Sequence, residues 1–583
     1  SRKTGTLIIK NLKKSEAYIS VNVILNNKSN TMNKFIYIAI GLFLFSFIRQ
    51  ASAQNNPLGG KDTLTLENER IEDVIDSDKP FIKLPYQELK NPNQDQVKYE
   101  SQDFYVETDF QPAPPQIISF SDPDALKLYK NNLLKAGIGR FATPFAQLFI
   151  NNGKDQKTDY GFEFSHISAH KDGVIPFRRF REDYGKLNLG IIEDDYSFLA
   201  SSKLINHAYF NYAGTETMDN PESLADSLKM GYTQFNIDAN LLTNYDPNRD
   251  YEYDVAAGVK FHSDRRTNSE FHFDLTPKGG YRITEDVLVG ADSRFTYVRG
   301  KIAGFGQNRV FAEITPNIKF DNGTLAIKGG VNFGTFSNSV DTLNYSNIGP
   351  DAEISYEIVP DEISIVAGYN SRVIHNNYFQ MMAENPYLDS SVVIKPSIEK
   401  MNIYAGLKGN LGQKLDFSVR AYYKQVQNQV VYDLGRDDRY FHILYDSLTK
   451  ITGLHAELNY QLLDDFSAGA ALNINGYNTS TVSHLYHISP LRLDLYGNYT
   501  WNEKLTVKTE VFIFGPRPMG LNAANEVVRQ NAFIDVNLSG DYRITDGFSV
   551  FLAVNNLLNT QYQRWRGYLE RRIDFNAGIT LAF

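Results

Sequence analysis

Residues 572–583 read Arg572-Ile573-Asp574-Phe575-Asn576-Ala577-Gly578-Ile579-Thr580-Leu581-Ala582-Phe583, and this order decides the fold. Ile573, Phe575, Ala577, Ile579, Leu581 and Phe583 share one parity; Asp574, Asn576, Gly578 and Thr580 share the other. Successive side chains of a strand point to opposite faces, so the segment is a strand with one apolar and one polar face. The pattern repeats upstream. Ile534, Val536, Leu538, Gly540 and Tyr542 alternate with Asp535, Asn537, Ser539, Asp541 and Arg543. Leu491, Leu493, Leu495, Gly497 and Tyr499 alternate with Arg492, Asp494, Tyr496 and Asn498, and Leu454, Ala456, Leu458 and Tyr460 with His455, Glu457, Asn459 and Gln461.

A soluble sheet packed on one face shows the same alternation, so repetition and charge placement must decide. Hairpin-turn residues recur every 40 to 50 residues or so: Lys154-Asp155-Gln156, Glu193-Asp194-Asp195, Asp246-Pro247-Asn248, Thr284-Glu285-Asp286, Asp321-Asn322-Gly323, Pro360-Asp361-Glu362, Gly412-Gln413-Lys414, Leu463-Asp464-Asp465, Asn502-Glu503-Lys504 and Thr545-Asp546-Gly547. That interval is two membrane-crossing strands plus one longer loop. The longer connections include 170–185, 214–229, 376–391 and 515–531. Ten tight turns imply about 22 strands, with both barrel ends on the periplasmic side. Charges fall on the lumen parity; on the lipid face an Arg or Lys would cost roughly 2–4 kcal/mol at the midplane. The expected fold is all-β: a transmembrane antiparallel barrel over residues 131–583.

Composition agrees. Tyr and Phe number 36 and 38 against 2 Trp, which suits strands and interfacial girdles. There is no cysteine, which excludes disulfides, thiolate metal sites, cysteine nucleophiles and a lipidated cysteine anchor. Residues 32–53 read as a secretory signal peptide: Met32 and Lys34, an apolar run from Ile36 to Ile48, and Ala51-Ser52-Ala53 before Gln54. Residues 1–31 contain no Met and precede that complete signal, and we read them as an over-extended gene start. Residues 1–53 hold 8 of the 59 basic and 1 of the 68 acidic residues, so without them the net charge is −16. That argues against a nucleic-acid partner, which needs a basic face. Residues 54–130, with Pro57, Pro92 and Pro112-Ala113-Pro114-Pro115 among many acids, read as an irregular periplasmic segment.

The last forty residues carry a family resemblance. Phe548-Ser549-Val550-Phe551-Leu552-Ala553-Val554-Asn555-Asn556-Leu557-Leu558-Asn559, Tyr562, Arg566-Gly567-Tyr568, Arg572 and the terminal Phe583 resemble the closing strands of TonB-dependent receptors. The resemblance implies a 22-stranded barrel in the cell outer membrane of a Gram-negative bacterium, with a globular plug of well over a hundred residues inside it. Here the segment before the first strand is too short and too Pro-rich for that plug. Asp62-Thr63-Leu64-Thr65-Leu66 resembles the segment that the energy-coupling protein grasps in such receptors; the alternative is a plain linker.

Chemistry is sparse. His484 and His487 lie near a loop and could bind a metal, although no third ligand is evident. His166 and His170 share a strand face roughly 13 Å apart, too far for one ion. A hydrolase would need Ser, His and Asp converging in space, and sequence does not select such a set. Gly515-Pro516-Arg517-Pro518-Met519-Gly520 reads as a rigid loop or a contact site. We therefore expect no enzyme, no cofactor, and no catalytic or metal residues. The loops are short for a ligand-capturing cap, which makes energised uptake doubtful. The expected role is a pore or a structural component of an outer-membrane complex, with lipid around it and residues 54–130 or a partner protein filling the lumen. The alternatives are an energised transporter whose plug comes from a partner, and a barrel enzyme.

Overall fold

The computed structural model describes residues 4–6, 22–24 and 130–583, apart from 153–156, 171–174, 216–220, 245, 247–248, 340–343, 391, 413 and 435–438. The signal peptide, the irregular segment 54–130 with Asp62–Leu66, and the turn residues Lys154-Asp155-Gln156, Pro247, Asn248 and Gln413 lie outside the described residues. Of the two compact units, 1–62 contributes one antiparallel pair, Thr4–Thr6 with Asn22–Ile24. In the second unit, 22 strands close into one antiparallel barrel, the number the turn spacing predicts.

In chain order the strands are β1 (Leu133–Gly139), β2 (Thr143–Asn151), β3 (Thr158–Ala169), β4 (Phe180–Ile192), β5 (Tyr196–Phe210), β6 (Lys229–Thr243), β7 (Tyr251–Asp264) and β8 (Ser269–Thr284). Then come β9 (Val287–Ile302), β10 (Phe305–Asp321), β11 (Leu325–Asn338), β12 (Asn344–Val359), β13 (Ile363–Ile374), β14 (Ser397–Leu411) and β15 (Leu415–Gln427). The last seven are β16 (Thr449–Leu463), β17 (Phe466–Asn478), β18 (Leu491–Trp501), β19 (Leu505–Phe514), β20 (Phe533–Thr545), β21 (Phe548–Asn555) and β22 (Asp574–Ala582). Each pairs with its sequence neighbours, and β22 pairs with β1.

Parity inverts the usual rule of apolar inside. Ile348 and Ile138 are 71% and 62% exposed, whereas Asp494, Asn537, Thr580 and Asn317 are buried. Ion pairs line the inward parity: Lys328 reaches Asp292 (3.2 Å) and Asp351 (2.9 Å), and Lys424 reaches Glu399 (3.4 Å). A wall that is apolar outside and charged inside is stable only with lipid around it. Exposed Tyr196, Tyr251, Tyr281, Tyr356, Tyr460, Tyr499, Trp501 and Tyr542 stand a few residues from the tight turns, forming an aromatic girdle at that end.

The turns follow local chemistry. Asn502 and Glu503 both take positive φ (49° and 55°), as a two-residue hairpin turn requires. The loop end is less uniform than the sequence suggests. β1–β2 turns over residues 140–142 and β9–β10 over Ala303-Gly304 (φ 50° and 84°). Residues 170–185 are also not all loop, because β4 begins at Phe180. Arg181, Glu182 and Asp183 look like loop residues, but Arg181 and Asp183 extend the strand above the apolar band and bond each other (2.8 Å).

The seam joins Leu133 to Ala582, Ala136 to Ile579 and Gly137 to Gly578, and Asn132 and Phe583 exchange backbone bonds of 3.1 and 3.0 Å. Gly137 faces Gly578 closely enough that a Cβ on Gly578 would press on the Ala136 carbonyl oxygen. Deleting residues 574–583 would leave the β1 and β21 edges unpaired in lipid at several kcal/mol per polar group. The heat-modifiable folded band on gels should vanish in that deletion and weaken in Gly578→Val; a normal folded band in the deletion would contradict the closure.

Candidate functional site: a packed cap over the loop end

The largest apolar core of the described residues lies at the loop end, not in the wall. Ile175 and Phe177 (β3–β4 loop), Tyr212 and Leu228 (β5–β6), Tyr378 to Ile394 (β13–β14), Tyr432 and Phe441 (β15–β16) and Trp565 and Tyr568 (β21–β22) form one cluster with Ile205, Tyr209, Met230, Tyr232 and Ile302 of the strands. Loops from opposite sides of the barrel thus meet over its mouth. Water surrounds this end, so burying their aromatic and Met side chains drives the closure as it would a soluble core.

The β13–β14 loop is the keystone. It carries one helix, α1 (Tyr378–Glu384), whose N-cap Asn377 accepts from the Gln380 N–H (2.7 Å). Tyr378, Phe379, Met381, Met382 and Ala383 are all buried, so the helix points its bulk into the mouth. The β7–β8 connection clasps it. Tyr378 donates its hydroxyl to Asp264 (2.9 Å) and accepts from Asn268 (3.0 Å) and Arg266 (3.1 Å), and Arg266 also donates to the Leu388 carbonyl (2.6 Å). From β5, Tyr209 donates to the Pro386 carbonyl (2.7 Å).

Beneath the helix lies a buried charge. The Glu270 carboxylate of β8 has a fully buried side chain, as does its partner Arg309 of β10. It also meets His272 Nε2 (3.1 Å) and accepts from the backbone N–H groups of Phe379 (3.0 Å) and Tyr378 (3.3 Å). The wall pairs its own charges, and the lid adds two backbone donors to the carboxylate.

Other loops are stapled by buried polar groups. The Tyr568 hydroxyl shares its one proton between Asn211 Oδ1 (2.7 Å) and the Arg439 carbonyl (2.6 Å). Arg178 donates to the carbonyls of Leu569 (3.2 Å) and Glu570 (2.8 Å). Asp446 accepts from Thr449 (2.6 Å) and from the N–H groups of Ser480, Thr481 and Val482 (3.0, 2.6 and 3.1 Å). Burial opposes its charge, yet these donors hold its pKa below the usual carboxylate range.

The residues singled out in the sequence fall differently. Gly515–Gly520 is an internal staple: Arg517 is buried and donates to the carbonyls of Gln563 (2.7 Å) and His487 (3.3 Å). His487 packs between Phe441 and Trp565, and its pKa is lowered to about 3 by burial and then by Arg517. Among the described residues no group of three or more His, Cys, Asp or Glu could hold a metal. The cap was missed in the sequence because no loop contains it alone. Apolar pairs inside polar loops, such as Tyr378-Phe379 and Met381-Met382, are the signal that could have found it.

A closed 22-stranded barrel with an apolar belt and a polar lumen is a large outer-membrane barrel. Residues 128–557 match the family described as TonB dependent receptor-like, beta-barrel, and the chain belongs to it. No curated protein matches the chain. Among solved structures it resembles the FrpB iron transporter of Neisseria meningitidis (F3-3 variant), with TM-score 0.62 and 12% identity, covering 79% of this chain and 82% of that one. It also resembles the ferripyoverdine receptor of Pseudomonas aeruginosa (0.58, 14%, 78% and 72%) and the ferric-catecholate import receptor Fiu of Escherichia coli K12 (0.57, 10%, 78% and 82%). At such identities the likeness shows the fold. The barrel resides in the Gram-negative outer membrane, with the turn end periplasmic and the loop end extracellular.

Two outcomes test the cap. Replacing Glu270 by Ala strands the Arg309 charge and removes the acceptor under α1, a loss of about 3–5 kcal/mol for breaking a buried pair. Proteolysis within 376–391 should speed up markedly while the folded band persists. Acid should also loosen the cap. Below about pH 6.5 an unfolded loop takes up a proton that buried His487 refuses, so stability falls by about 1.4 kcal/mol per pH unit until about pH 3. Hydrogen exchange across 479–490 should show that slope, and His487→Phe should flatten it.

Proposed function

We propose that this chain is a sealed TonB-dependent-receptor-type barrel serving as a structural component of an outer-membrane assembly, and not a standing pore. The observation that carries the reading is the cap: loops from around the rim share one apolar core, and α1 is tied to the wall through Glu270. An open lumen of this size would breach the permeability barrier, and barrels of 22 strands are normally plugged. In this reading the mouth is closed from outside by the chain's own loops, and residues 54–130 or a partner protein occupy the lumen from the periplasm. The cap also answers the objection that the loops are short, because several short loops packed together replace one long one.

A second reading has its own support. The structural neighbours bear the names of iron and siderophore transporters, and Asp62–Leu66 resembles a coupling segment. Energised uptake with a partner-supplied plug would require the cap to open on cue.

Single-channel conductance separates the readings. The full chain and a version lacking residues 54–125 should both stay closed, and removal of 378–389 as well should open a large conductance. Large-antibiotic sensitivity of cells should follow the same order. A wide conductance after removal of 54–125 alone would show that the cap does not seal, and would overturn the proposal.

A further inference from the structure

A second constellation stands on the outside of the wall. On β3 the residues Tyr160, Phe162 and Phe164 point outward, with Tyr160 and Phe164 exposed, so His166 and Ser168 on the same parity point outward too. Register places Asp183 of β4 directly opposite His166, and Arg181 opposite Ser168. The contacts run in one direction. Asp183 Oδ1 meets His166 Nδ1 at 2.7 Å, and His166 Nε2 meets Ser168 Oγ at 3.2 Å. With Nδ1 donating to the carboxylate, Nε2 is the acceptor for the serine proton. The other oxygen of Asp183 is fixed by Arg181 Nε (2.8 Å) and Asn206 Nδ2 (3.1 Å), and Thr233 in turn donates to Asn206 (3.2 Å).

We propose that Ser168, His166 and Asp183 form an acyl-transfer site that faces the outer leaflet and takes acyl esters of membrane lipids. A nucleophile within reach of a base, itself oriented by a buttressed carboxylate, is the arrangement that activates a serine. Depth selects the substrate. Ser168 lies eight residues beyond Tyr160 of the periplasmic half, about 26 Å along the strand at ~3.3 Å per residue. With the usual tilt that is about 20 Å of height, near the outer edge of an apolar band of about 25 Å, where lipid acyl esters lie. Outward-facing Phe164 and Leu204 on the membrane side provide an apolar wall for the chain. In the reaction Ser168 Oγ bonds the ester carbonyl carbon as its proton passes to His166 Nε2. The carbonyl electrons move to oxygen, toward the Arg181 side chain, which is 60% exposed. Collapse breaks the ester C–O bond, and His166 returns the proton to the leaving alcohol. Water then attacks the acyl-serine by the same route, releasing a fatty acid and restoring Ser168. Ser168 is 1% exposed and also meets His170 Nε2 at 3.4 Å, so the side chains over it, His170 among them, must move to admit the ester.

The test uses the purified full-length barrel in vesicles of diacyl phospholipid, and in the same vesicles doped with an acylated glycolipid, with released fatty acid measured. A fluorophosphonate probe and peptide mapping report the serine in parallel. Release from either vesicle supports the site and identifies the lipid class. It should fall at least 100-fold in S168A and in H166A, and both release and Ser168 labelling should rise in H170A, all with a normal folded band. No release from either vesicle by the wild type and by H170A, or release unchanged in S168A, would overturn the proposal.

Discussion

Every other feature of this molecule follows from one constraint: backbone polar groups in hydrocarbon must be paired, because no water is there to replace a partner. A sheet satisfies that only by closing on itself. The seam therefore has to be made by chain ends that are remote in sequence, and Leu133–Gly139 meets Asp574–Ala582 across more than four hundred residues. The Gly137–Gly578 pair shows how tightly the two strands come together there. Closure also sets the side-chain code. Lipid needs nothing but apolar surface on the outward parity, and the inward parity is left to pair its charges, as Lys328 does with Asp292 and Asp351.

The same constraint displaces the hydrophobic core. Apolar groups facing lipid gain nothing by packing on one another as they would in water. Only the loop end, which is in water, can use the hydrophobic effect to build a core, and there the molecule packs like a soluble domain. The barrel holds its topology through hydrogen bonds in lipid, and its cap through apolar burial in water. Acid reaches the second through His487 and Asp446, which are in loops, whereas the backbone N–H and C=O groups that close the first do not titrate.

How much of this could be read in advance depended on range. Strand parity and turn chemistry are local, so the alternation of Ile573 to Phe583 and the turn at Asn502-Glu503 give strand number and orientation from sequence alone. The cap is not local. Tyr209 meets Pro386, and Tyr568 meets Asn211, only after the sheet has curved round. Charge misled once, where Arg181-Glu182-Asp183 looks like loop but continues β4. His166 and His170 read as a same-face pair in the sequence; Ser168 bonds both rings, and Asp183 joins His166, only in the folded sheet, where the β3–β4 register that a single sequence does not state brings them together.

The latch beneath α1 explains why a charge sits where an apolar side chain would pack. A buried ion pair is a poor source of stability compared with a hydrophobic replacement, since desolvation offsets most of the attraction. Its value is in what remains when the lid leaves. Glu270, His272 and Arg309 are all on the wall, so their mutual contacts persist without α1. The lid withdraws only the N–H groups of Tyr378 and Phe379, which water can replace at the newly wetted carboxylate. A leucine at 270 would expose apolar surface on opening and favour the closed state throughout. The carboxylate instead keeps His272 and Arg309 as partners, so in the reading that requires the cap to open on cue this site would not oppose opening.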